Sequence, residues 1–311
     1  MKTNTQISIH EKYGGVVPEV ASRKHCENIV FVLDEALKEA NMKVEDVDAI
    51  AVTYGPGLLG SLLVGVNFAK TLSLIYNKPL IGVNHLIGHI YANNLEGKLE
   101  FPLITLIVSG GHIQLLHMDK DYSFKLLGET LDDAIGECYD KVAKVLGEKY
   151  PGGPNIENLA KDGIEDYKFP VPVNDNTYNF SYSGLKSNVL NFVNNKKMKN
   201  ESINKNDIAL SFQKAAVAEV CNKVTKALEE YKVHQLVVAG GVSANQYLKE
   251  ELDKVCKKNN VNLTIPSLKY CTDNAAMIGA AAYYKYINKD FDNLDLDAVS
   301  GLNICWVYSC Y

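Results

Sequence analysis

No two of the seven cysteines (Cys26, Cys138, Cys221, Cys256, Cys271, Cys305 and Cys310) form a Cys-x-x-Cys pair. That spacing excludes a zinc ribbon and a thioredoxin-like redox pair. In a chain of 311 residues they read as the reduced thiols of a cytosolic protein. The opening stretch, Met1 to Ser8, lacks the apolar core of a secretion signal. Strongly apolar runs such as 101–108 (FPLITLIV) stop short of the roughly 18 residues a membrane-spanning helix needs, so none is expected. Positive charge is not in excess either. Lys and Arg total 32 against 37 Asp and Glu, a formal net charge of −5. Such a chain does not coat nucleic acid by bulk charge; an RNA contact needs a local basic patch or a partner.

Apolar residues make up 47% of the chain and charged residues 22%, the profile of a globular protein. The length fits two lobes. Asp48 to Thr53 reads as a buried strand, residues 54–57 as a turn, and Leu58 to Tyr76 as a helix. A short strand at 79–83 precedes a helix carrying His85 and His89. Two strands then meet at Ser109, Gly110 and Gly111, and YSFKLLGET adds a third. A helix follows with Asp132 or its neighbour near the N-cap, then a Gly/Pro turn into a short helix. A further helix is expected after Ser183, a surface insert at 194–207, and a long helix from Ile208 to Tyr231. Strand, Gly-Gly turn and helix recur at 234–256, NLTIP reads as a strand, and Asp273 to Lys289 as a helix. The mix predicts an α/β protein with mixed sheets. Glycine turns directly after strands point to a ligand between the lobes.

His85 and His89, at i and i+4 on one helix face, are spaced to share a cation. Two ordinary histidines fit the spacing equally well. A zinc-protease helix requires Glu after the first His, and Leu86 stands there. Ser109-Gly110-Gly111-His112 allows close approach of an anion to the backbone, or is a plain hairpin turn. Gly240 to Asn245 opens a helix, with Ser243 as a ligand contact or a simple N-cap. Asp273 is an N-cap, or a third ligand completing a His-His-Asp set. Asp140 reads as a surface carboxylate paired with Lys144 at i+4.

Taken together and in order, the segments 13–25, YGPGLLGSLLVG (54–65), NHLIGHIYAN (84–93), VSGGHIQL (108–115), GECYDKVAKVLG (136–147), YPGGP (150–154) and AGGVSAN (239–245) are specific. The chain resembles the bacterial tRNA threonylcarbamoyladenosine family (TsaD, also Gcp or YgjD) from about Gln6 to about Leu302. The resemblance implies a two-lobed fold of the actin/Hsp70/sugar-kinase (ASKHA) type with an interlobe cleft, the lobes being 1–98 plus 274–311 and 99–273. It implies transfer of a threonylcarbamoyl group from threonylcarbamoyl-AMP to the exocyclic amine of the adenosine 3′ of the anticodon, in tRNAs reading codons that begin with A. It implies one divalent metal, iron or else zinc, on His85, His89 and Asp273. Substrate contacts would fall on Ile107, Val108, Ser109, Gly110, Gly111, Asp140, Gly153, Glu157 and Asn245, with no general base identified. The implied partners are tRNA, a TsaB-like paralogue and a TsaE-like ATPase, in the cytoplasm and with no membrane. Arg23 with Lys24, Lys186 and Lys196-Lys197-Met198-Lys199 are candidate basic patches.

Two departures stand out. Family members begin with about two dozen further residues forming an opening hairpin. Its absence predicts exposed sheet edges and a weakened N-terminal lobe. The tail CWVYSCY, which holds the single Trp, matches nothing in the family pattern. The rival readings are an inactive scaffold for the partner subunit, a related carbamoyltransferase, and an ATPase or sugar kinase of the same fold.

Overall fold

The computed structural model describes residues 1–13, 15–171 and 176–304. The tail CWVYSCY lies outside the described residues. Among the described residues the chain divides into two compact units, Met1–Lys98 with 272–304, and Leu99–Cys271. Asp273 therefore belongs to the same unit as His85 and His89.

The first unit begins with helices α1 (Ile7–Glu11) and α2 (Pro18–Ala40). Pro18 supplies the preset φ of a first helical residue, and Asn41 ends α2 in the left-handed region at φ 51°. Strand β1 (Ile50–Gly55), helix α3 (Leu59–Tyr76) and strand β2 (Leu80–Asn84) follow, β1 and β2 pairing in parallel through α3. With Lys70 as its one charged residue, α3 is long and apolar enough to cross a membrane by composition, although Ser61, Asn67, Thr71 and Ser73 interrupt its apolar runs. Helix α4 (His85–Tyr91) starts directly at the end of β2.

The second unit is built on a mixed sheet, ordered β5-β4-β3-β6-β7. Its elements are β3 (Leu103–Val108), β4 (Ile113–Met118), β5 (Lys125–Glu129), α5 (Ile135–Val145), α6 (Gly152–Lys161), α7 (Ser183–Met198), α8 (Lys205–Glu230), β6 (Gln235–Ala239), α9 (Gln246–Asn259), β7 (Asn262–Thr264) and α10 (Leu268–Cys271). Strand β3 is antiparallel to β4 and parallel to β6. All six β3 residues are buried, which is why its sequence is apolar at every position but Thr105 rather than alternating. Fully buried Leu106, Val108, Val220, Leu236 and Phe212 belong to this unit's core. Each contributes about 1.5–3 kcal/mol of hydrophobic burial.

The chain then returns to the first unit as α11 (Ala275–Ile287), which packs on α4 and β2. The segment after it answers part of the expectation of bare sheet edges. Asp292 N donates to Leu80 O at 2.9 Å, and Asp292 Oδ2 accepts from Gly82 N at 2.7 Å. Buried Lys285 donates to Gly82 O at 3.1 Å and lies 3.3 Å from Asp292 Oδ2. Val299 N donates to Tyr54 O at 2.8 Å. The backbone groups of β2 thus find partners in the C-terminal segment.

One local expectation is refined and one corrected. Asp132 and Asp133 directly precede Ala134, the N-cap of α5, as expected, but no side chain caps that helix. The Asp132 carboxylate accepts instead from Tyr182 N at 2.8 Å and Ser183 N at 3.2 Å, capping α7 from 50 residues away. The surface insert at 194–207 shrinks to 199–204, because α7 runs to Met198 and α8 starts at Lys205.

A histidine–aspartate cluster and a glycine-lined strand end

In the first unit, β2 ends at Asn84, whose Oδ1 accepts from Leu86 N at 2.9 Å and Ile87 N at 3.4 Å and so caps α4. The cap starts the helix at His85 and puts His89 one turn on, the rings meeting edge to face with centroids 4.7 Å apart. Gly88 lets α11 come close: a Cβ there would lie 2.7 Å from Ile278 Cδ1. Asp273 does not cap α11; Asn274 does, accepting from Met277 N at 2.9 Å. Asp273 is left facing the histidines, its Oδ1 3.1 Å from His89 Nε2 and 3.4 Å from His85 Nε2.

The three residues each offer a ligand atom, and those atoms lie within 4.8 Å of one another. His89 is buried while Asp273 is 78% exposed, so the cluster has a dry back and an open front. Partial desolvation raises the Asp273 carboxyl, but hydrogen bonds from His85 and His89 and their charge outweigh it and hold it well below the usual carboxylate range. His89 Nδ1 is buried with no hydrogen-bond partner among the described residues. Two imidazoles and one carboxylate suit iron or zinc and leave positions open for a substrate. The donor set therefore fits a divalent metal.

In the second unit the parallel strands β3 and β6 end side by side, each in a glycine turn. Gly240 adopts φ 93°, and a Cβ there would sit 2.4 Å from Val108 O. Nothing lies within 4 Å of a Cβ built on Gly110, Gly111 or Gly241, so the backbone of both turns is open. Ser109 N donates to His112 O at 2.8 Å, closing the first turn. Ile107 and Val108 are fully buried, which leaves Ser109 to Gly111 as the accessible part of that segment. Gly136 brings α5 onto this turn: a Cβ there would meet Ser109 O and Gly110 Cα at 2.7 Å.

Asp140 does not pair with Lys144. Its Oδ1 accepts from Gly152 N at 2.6 Å, holding the first residue of α6 beside Gly153. Burial pushes its carboxyl up, the bond from Gly152 only partly offsetting this. Glu157 Oε1 accepts from Gln246 N at 2.7 Å. Asn245 caps α9, accepting from Leu248 N at 2.8 Å, while its Nδ2 donates to buried Gln213 at 3.1 Å. Ser243 is thus not the N-cap; its hydroxyl is buried without a partner among the described residues. Asp140, Gly153, Glu157 and Asn245 are tied together through the starts of α6 and α9. Sequence reasoning passed over Gly136, Gly152 and Gln213, although both glycines sit inside quoted motifs. The candidate basic patches are ion-paired in part: Arg23 with Glu19, Lys24 with Glu27, Lys186 with Asp133 and Lys196 with Glu201.

Among solved structures, HypF from T. kodakarensis aligns with a TM-score of 0.62 at 16% identity, over 83% of this chain and 44% of that one. The (R)-2-hydroxyglutaryl-CoA dehydratase component A of Acidaminococcus fermentans aligns with a TM-score of 0.51 at 16% identity, over 84% of each chain. The mixed five-stranded sheet, the parallel β1-β2 pair and these likenesses define a protein of the actin/Hsp70/sugar-kinase-like fold, here bearing a His-His-Asp cluster of metal-binding type. A family model described as TsaD, tRNA N6-adenosine threonylcarbamoyltransferase, matches residues 1–280. The Staphylococcus haemolyticus protein of that name is 53% identical over 301 residues, covering 96% of this chain and 88% of its own. The chain belongs to the TsaD family of tRNA N6-adenosine threonylcarbamoyltransferases.

Proposed function

We propose that this chain transfers a threonylcarbamoyl group from threonylcarbamoyl-AMP to N6 of the adenosine 3′ of the anticodon, in tRNAs reading codons that begin with A. The observation that carries the reading is the meeting of His85, His89 and Asp273 in a chain that matches the family over residues 1–280. These three residues would hold a divalent metal, iron in first place and zinc in second, which supplies positive charge to orient the donor and offset its negative groups. The transfer forms the bond from N6 to the carbamoyl carbon and breaks that carbon's bond to the AMP phosphate oxygen. N6 gives up one proton, which passes to solvent or to the departing phosphate, and AMP leaves with the bridging oxygen on its phosphate.

The second unit supports donor binding. Open backbone at Gly110, Gly111 and Gly241 lets amides approach phosphate or carboxylate oxygens, as only residues without a Cβ permit. Asp140, through Gly152, and Glu157, through Gln246, set the starts of α6 and α9 that flank these turns. Their contribution is positioning: two bound groups held in reacting geometry no longer lose the freedom that a collision in solution would cost them.

A TsaB-like paralogue and a TsaE-like ATPase are the proposed partners, and the cytoplasm, where tRNA is modified, the proposed location. Exposed Val30 and Phe31 on α2, with Leu74 and Ile75 on α3, support an apolar contact with a partner. The test is a modification assay with purified chain, partner proteins, threonylcarbamoyl-AMP labelled in its threonine and unmodified tRNA. Label in tRNA that requires His85 and Asp273 supports the reading; carbamoyl transfer without threonine, or sugar phosphorylation without tRNA, overturns it.

A further inference from the structure

We infer that the end of the second unit where α5 and α7 terminate is a docking surface for the phosphate backbone of tRNA. The inference rests on the reading of tRNA as the acceptor. Contacts bring four stretches of chain together there. Lys197 Nζ donates to Val145 O at 3.0 Å, joining the end of α7 to the end of α5. Lys205 Nζ lies 3.3 Å from Glu148 Oε1, joining the start of α8 to the loop after α5. The place collects six lysines, Lys144, Lys149, Lys196, Lys197, Lys199 and Lys205, against the two carboxylates Glu148 and Glu201.

Those carboxylates take Lys205 and Lys196. Helix C-termini account for part of the remainder, since Lys144 and Lys197 lie in the last turns of α5 and α7. Two such termini carry about half a negative charge each. Lys149 and Lys199 stand outside both helices and are exposed, and neither they nor Lys144 has an ion-pair partner among the described residues. With the buried Asp207 carboxylate in the first turn of α8 also counted, a surplus of about two positive charges is left on a chain whose net charge is −5. Met198, 82% exposed between Lys197 and Lys199, offers an apolar contact to a ribose or base. A positive surface that the fold does not neutralise, on an acidic protein, matches a polyanion.

The test is binding of unmodified tRNA by fluorescence anisotropy across a salt series. The proteins are the full chain, the triple variant Lys144→Gln/Lys149→Gln/Lys199→Gln, and a control triple, Lys120→Gln/Lys232→Gln/Lys258→Gln, altered at lysines away from this surface. The surface variant should bind at least tenfold more weakly, with a log–log salt slope smaller by roughly 2, because each lost phosphate contact removes about 0.7–0.9. The control should bind like the parent. Unchanged binding by the surface variant, or an equal loss in the control, overturns the docking surface and leaves the functional reading standing. No tRNA binding by the parent chain likewise overturns the docking surface, while the functional reading falls only if the modification assay with partner proteins leaves tRNA unlabelled.

Discussion

His89 Nε2 and Asp273 Oδ1 stand 3.1 Å apart although 184 residues separate them in the chain. The contact depends on the cap at Asn84, which starts α4, and on Gly88, which admits α11. Neither His85 nor His89 could find Asp273 by sequence proximity. Three consequences concern the two sites, and one concerns stability against pH.

Removing a ligand should remove the metal. His85→Ala, His89→Ala and Asp273→Ala should each lower metal per chain, measured by inductively coupled plasma mass spectrometry, and lower tRNA modification with it. Full metal content in Asp273→Ala would show that the ion sits elsewhere.

Asp140→Asn separates the charge of this carboxyl from its hydrogen bond to Gly152. Asn can still accept from Gly152 N, and it carries no charge to desolvate. The folded-state pKa of Asp140 is raised by burial. Its contribution to stability is therefore present at low pH and is lost as pH rises through that folded value. Urea unfolding at pH 7 should accordingly show the variant as stable as the parent or more so, and its KM for the donor should stay near the parent's, because the hydrogen bond that positions the start of α6 is kept. A large loss of stability would contradict this account.

Asp133 should behave oppositely. Burial raises its carboxyl, but the hydrogen bonds from Lys141 and Lys186 outweigh that and hold it below the usual value of 3.8. A lowered folded pKa gives stability that is full above 3.8 and is lost as pH falls through the folded value. Asp133→Asn should cost about 1.5–3 kcal/mol at pH 7 and flatten the acid limb of the stability–pH curve. An unchanged acid limb in denaturant titrations would assign it to other carboxylates.

Gly240→Ala tests the turn at the end of β6. The position combines φ 93° with a would-be Cβ 2.4 Å from the Val108 carbonyl, a backbone atom that cannot swing aside. A loss of at least about 1–3 kcal/mol is expected from the strained φ alone, with weaker donor binding because the Gly241 backbone shifts with it. Thermal unfolding and donor titration read the two effects. Gly241→Ala, where nothing lies within 4 Å, should keep stability and report the loss of close approach alone.

Much of the fold is legible in the chain. The strands around 50–55, 80–84 and 103–118 and the helices at 59–76 and 205–230 follow from apolar periodicity and turn residues within a few positions of each. The mismatches share one cause. Capping and i,i+4 rules give Asp132 to the helix beside it and Asp140 to the lysine one turn on, because local rules supply only local partners. In the folded chain Asp132 caps α7, and Asp140 holds the start of α6.

The amino-acid sequence by itself determined the family, through motifs kept in order along the chain, and the i,i+4 histidine pair that a helix must place on one face. The third member of the cluster was a choice between N-cap and ligand until the tertiary structure made Asn274 the cap and turned Asp273 toward the histidines. The same holds for the lysines at the ends of α5 and α7, which are far apart in the chain and become one surface only when two helices end side by side. Helical and strand periods are properties of neighbouring residues. Convergence of distant side chains is a property of the packed core that brings their backbones together.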